Sequence, residues 1–87
     1  MDVIVRKPSE TEKTSMKKEP IWECEPKTFT WYYDEQETCL ILEGCASVKA
    51  ENKEISFNAG DLVIFPKGLS CEWTVTKKIK KHYKFGN

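Results

Sequence analysis

Glu37-Thr38-Cys39-Leu40-Ile41-Leu42-Glu43-Gly44 and Gly60-Asp61-Leu62-Val63-Ile64-Phe65-Pro66-Lys67-Gly68 decide the fold of this chain. Each holds an apolar run of strand length, closed by a residue suited to a sharp reversal. Gly44 and Gly68 can take positive φ without steric cost, and Pro66 removes a backbone donor where the second strand should stop. The pair predicts a small antiparallel barrel with an internal pocket.

Outward from this centre the chain reads as short strands between turns. Residues 3–5 form a first strand ended by Pro8, and residues 9–19 are almost wholly polar. Ser9 and Glu12 have the spacing of a capping box, but no apolar stripe follows, so this stretch is expected to be a surface loop. Pro20 and Pro26 bracket a strand at 21–24. In residues 28–33, Phe29, Trp31 and Tyr33 alternate with Thr28, Thr30 and Tyr32, the pattern of a half-buried strand. Further strands follow at 40–42, 45–50, 54–57, 62–65, 71–75 and 79–85. The hairpin loop is at 51–53 and a second turn at 58–61. This makes about nine short strands and an all-β class.

With 87 residues the chain is read as one domain, 1–20 being an N-terminal strand and polar loop and 21–87 the barrel core. A core this small gains from pairing, so a homodimer is expected. Fourteen basic and fourteen acidic residues leave no net field toward nucleic acid. The N-terminus lacks the apolar run of a secretory leader, and nothing approaches membrane-spanning length. Cys24, Cys39, Cys45 and Cys71 form no Cys-x-x-Cys pair, which argues against structural zinc and for reduced thiols in the cytoplasm.

The frame Glu37, Gly44, Gly60, Pro66, Gly68 resembles the two cupin motifs. The surrounding sequence is similar to the small single-domain cupins grouped with (S)-ureidoglycine aminohydrolase, and to the cupin domain of the ethanolamine-utilisation family. The resemblance runs over residues 21–85 and implies a small RmlC-like jelly-roll β-barrel. Cupins of this kind hold a divalent metal on three histidines and a glutamate. Those histidine positions fall here on Trp31, Tyr33 and Cys71, and only Glu37 keeps its type. Tryptophan cannot ligate a metal and neutral tyrosine is a poor ligand, so no metal and no other cofactor is expected.

The candidate ligand-binding residues are Trp31, Tyr33, Glu37, Cys71, Trp73 and Lys81. Trp31 and Tyr33 either plug the barrel or form an aromatic wall against a small-molecule ligand. Glu37 shares a strand face with Cys39 and Ile41 and should point inward, where a carboxylate must be paired, hydrogen-bonded or protonated. It is the best candidate for acid–base chemistry. Lys81 is its candidate cation, although it is expected to sit too far along its strand to dominate. Cys71 is read as a buried, unreactive thiol, with His82, the sole histidine, on the opposite face. The lysine cluster at 77–84 fits an edge strand guarded against pairing better than a nucleic-acid surface. Three readings stay open: a metal-free small-molecule-binding cupin, a metal-dependent enzyme with ligands rearranged onto Glu37, Cys71, His82 and Tyr33, and a filled structural barrel.

Overall fold

The computed structural model describes residues 2–86, so the two end positions of the expected 1–87 domain lie outside the described residues. Seven strands and one short helix follow in the order β1 (Ile4–Arg6), α1 (Glu10–Met16), β2 (Ile21–Cys24), β3 (Lys27–Tyr32), β4 (Glu37–Ala50), β5 (Lys53–Asn58), β6 (Leu62–Phe65) and β7 (Ser70–Phe85). All pairings are antiparallel. The sheet runs β1-β6-β4-β7-β2, with β5 also on β4 and β3 also on β7. Among the described residues no ladder joins the outer strands to one another, so the jelly roll is an open barrel.

Two long strands replace four of the expected short ones. The segments 40–42 and 45–50 are one strand, β4, and 71–75 and 79–85 are one strand, β7. Gly44 does not reverse the chain. It sits at φ +90° within β4, where the pairing with β7 shifts register between Glu43, Cys45 and Ala46. This irregularity bends both strands, so each contributes to both halves of the barrel. A side chain at Gly44 would run into the carbonyl of Lys78, which explains the glycine. The turn at Glu51 and Asn52, both at positive φ, closes the β4–β5 hairpin as a two-residue loop.

The expected polar loop contains a helix. Ser9 Oγ accepts from the Glu12 amide at 3.1 Å while Glu12 Oε1 accepts from the Ser9 amide at 2.8 Å, completing the capping box. Arg6 donates to both oxygens of Glu12, at 2.8 and 2.6 Å. No apolar stripe is needed, because Met16 alone is buried, against Leu40 and Leu62 on the outer face of the sheet. The lysine-rich strand was expected at an edge, yet β7 lies at the centre, between β4 and the pair β2 and β3. Its lysines differ in burial: Lys77, Lys78 and Lys84 are exposed while Lys81 is buried on the inner face with Ile79.

Candidate functional site

The inner face of the barrel is an aromatic cluster around Trp73. Its ring lies 5.5 Å from Phe65, 5.3 Å from Phe57 and 5.9 Å from Phe29, the last stacked at 11°. Tyr33 stacks on Phe65 at 4.8 Å, and its hydroxyl accepts the indole N–H of Trp73 at 3.1 Å. The turn from Pro66 fixes Tyr33 from behind. Gly68, at φ +90°, donates its amide to the Tyr33 carbonyl at 2.7 Å, and the Tyr33 amide donates to Leu69 at 2.8 Å. The segment from Gly60 to Gly68 therefore anchors the backbone of Tyr33, just past the end of β3.

At one side of this cluster a cavity of about 240 Å³ remains. Its walls are Trp22 from β2, Phe29 and Trp31 from β3, and Tyr83 and Phe85 from β7. Tyr33, Trp73, Glu37 and Lys81 complete the lining. Glu37 and Lys81 are buried, and the lysine ammonium lies 3.2 and 3.4 Å from the two carboxylate oxygens. The same nitrogen is 3.2 Å from Cys39 Sγ. It sits over the rings of Trp73 and Trp22, at 4.7 and 4.9 Å from their centroids. Cation–π contacts of desolvated ammonium groups contribute about 2 kcal/mol.

Lys81 was expected to sit too far along its strand to dominate Glu37. In the β4–β7 ladder it pairs with Ile41, four positions along from Glu37. Two long side chains on one face close that gap and form a buried ion pair. Burial works against the ammonium, but Cys39 and Glu37 beside it hold the Lys81 pKa above its ordinary value. Burial also pushes the Cys39 thiol up to about 12, so it meets Lys81 as a neutral thiol at neutral pH. Tyr33 is raised as well, by burial first and then by the charge of Glu37.

Five of the six expected ligand residues thus line one cavity: Trp31, Tyr33, Glu37, Trp73 and Lys81. Trp31 neither plugs the barrel nor forms a deep wall; it is 49% exposed at the cavity rim. Cys71 does not join them. It lies beneath an open groove on the other side of Trp31, with its thiol toward the Trp31 carbonyl at 3.7 Å, and burial raises it to about 11. His82 is on the opposite face, its Nδ1 2.9 Å from the Glu19 carbonyl. The wall residues Trp22, Phe29, Tyr83 and Phe85 were not singled out as ligand-binding. For Phe29, Tyr83 and Phe85 the signal was present, because they share side-chain parity with Trp31 and Lys81.

The sequence pattern of the EutQ-like cupin domain matches residues 11–83. The chain belongs to the EutQ-like cupin family. Among solved structures this cupin is similar to a DUF861 family protein from Thermotoga maritima, with 46% identity and a TM-score of 0.91 over 97% of this chain and 99% of that one. The EutQ protein of Clostridium difficile shares the fold at 21% identity and a TM-score of 0.71, over 76% of this chain and 52% of that one. The acetate kinase EutQ of Escherichia coli K12 is 34% identical over 55 residues, which is 63% of this chain. The chain spans 24% of the length of that relative.

The cupin metal does not fit the residues present. Of the positions that hold it in the motifs, Trp31 has no lone pair to give, and Tyr33 and Cys71 keep their protons at neutral pH. Glu37 is already engaged by an ammonium at 3.2 Å. Among the described residues no group of three or more His, Cys, Asp or Glu could hold a metal ion. Among them, too, no helix is long and apolar enough to cross a membrane.

Proposed function

We propose that this chain is a small-molecule-binding cupin whose site works with a side-chain cation, Lys81, where the metal-binding cupin motif would place a metal, and that it acts as a cytoplasmic homodimer. The observation that carries the reading is a buried ion pair in an aromatic cavity. Replacing such a pair by apolar residues of similar volume is often neutral or stabilising, so stability does not account for its presence. Contact with a ligand does. Aromatic walls around a few convergent polar groups are what small-molecule sites present, and 240 Å³ suits a single-ring compound. The motif resemblance to the (S)-ureidoglycine aminohydrolase-like cupins supports the position of the site. Their hydrolysis is not carried over, because the metal positions fall on Trp31, Tyr33 and Cys71. Four free cysteines suit a reducing compartment.

Binding fits the site better than catalysis. The thiols at Cys39 and Cys71 stay protonated at neutral pH, and Lys81 stays an ammonium, so none of the three is a ready nucleophile. A screen of single-ring fragments by ligand-observed NMR, mapped on nitrogen-15-labelled protein, tests the reading. Binders should move the indole resonances of Trp22, Trp31 and Trp73 and the backbone amides of Glu37 and Lys81. Fragments that map only to the open groove beside Tyr32 and Cys71, or no binders at all, would refute it.

A further inference from the structure

The hydrogen-bonding capacity left over in the cavity defines what can enter it. Lys81 has three N–H groups, and three acceptors stand around them: both oxygens of Glu37 and the sulfur of Cys39. The ammonium has none left for a ligand. Glu37 is in the opposite position. Each carboxylate oxygen takes one bond from Lys81, and each can accept another. Tyr33 is 2% exposed, and its oxygen accepts from Trp73. Its own O–H proton is given to no group among the described residues. The hydroxyl belongs to a residue that lines the cavity, so its proton is the donor that a ligand carbonyl can meet there.

From this inventory, and resting on the reading of the cavity as a ligand site, we infer that the ligand is an uncharged planar compound bearing an N–H donor beside a carbonyl acceptor, as in a primary carboxamide or a lactam. The N–H donates to Glu37, the carbonyl accepts from the Tyr33 hydroxyl, and the flat face lies against the aromatic walls. Charge points the same way. Glu37 and Lys81 cancel, so an anion entering this low-dielectric space meets the carboxylate and a cation meets the ammonium, with no countercharge free for either.

Four compounds of nearly one shape separate the possibilities on the wild-type protein: benzamide, acetophenone, benzoate and benzamidine, each titrated by NMR. Benzamide should bind most tightly, shifting the Trp73 indole resonance, with an advantage of about tenfold over acetophenone, which cannot donate to Glu37. In Tyr33→Phe, checked for fold by its amide spectrum, benzamide should weaken by about the same factor. Equal binding of acetophenone, or tighter binding of benzoate or benzamidine, overturns the inference and leaves the cavity standing as a ligand site. If other fragments occupy the cavity and benzamide does not, the inference fails alone. If nothing enters the cavity, it fails together with the reading beneath it.

Discussion

Removing one partner of the Glu37–Lys81 pair leaves the other as a charge inside an aromatic cavity. Glu37→Gln keeps the shape but strands the ammonium, and Lys81→Met keeps the apolar stem but strands the carboxylate. Breaking a buried pair in this way costs about 3–5 kcal/mol, whereas removing both charges costs far less. The double variant Glu37→Gln/Lys81→Met should therefore be more stable than either single variant. Urea denaturation of the four proteins measures the coupling, and additive losses would show that the two groups do not meet in solution. The inward direction of Glu37 was legible in the sequence, because alternation places it on one face with Cys39 and Ile41. Lys81 was legible as the candidate cation, but the closeness of its approach was not. Alternation assigns a face but not how far side chains reach along the ladder, and Lys81 meets Glu37 from opposite Ile41. The same shortfall affects Trp31, whose face parity describes but whose depth it does not.

Elements were legible where the signal is local and were misread where the context is tertiary. The strand cores around Leu40 and Val63 follow from apolar runs. The joining of 40–42 to 45–50 does not, since a glycine that ends a strand and one that bends it look alike in sequence. Helix α1 was missed although its capping box was visible, because its stability comes from Arg6 and from the burial of Met16 against another element. That origin predicts its pH dependence. The Arg6 guanidinium, with the Ser9 amide behind it, lowers the Glu12 carboxyl from 4.5 to about 2. A carboxylate depressed in the folded state contributes stability above its ordinary value, and that contribution is lost as pH falls through the folded one. Amide resonances of Ser9 and Glu12 should hold their capped positions to about pH 3 and change with a midpoint near 2. A midpoint near 4.5 would mean that neither the Arg6 bridge nor the capping bond is maintained, and Arg6→Gln should raise the midpoint part of the way, the Ser9 amide still holding it below 4.5.

Over the whole molecule the fourteen basic and fourteen acidic residues cancel, and the same cancellation is repeated inside the cavity, where Lys81 answers Glu37. This has a consequence for a fold whose motif positions can carry metal ligands. A divalent ion placed against Glu37 would lie beside an ammonium already 3.2 Å from the carboxylate, in a space with little water to screen the repulsion. It would also need ligands that this chain supplies only after losing protons, from Cys71 at about 11 and from a Tyr33 phenol raised higher still by burial. Soft thiolate and imidazole donors select zinc, iron or nickel, and the imidazole of His82 is on the far face of the sheet, held at the Glu19 carbonyl. Untagged protein, dialysed against excess zinc or nickel and then against metal-free buffer, should retain neither at a stoichiometric level by elemental analysis. Stoichiometric metal that disappears in Glu37→Gln would place the cupin centre back at Glu37 and displace Lys81 from the role proposed for it. Metal that survives Glu37→Gln would mark a site elsewhere and leave the cavity with the cation it already has.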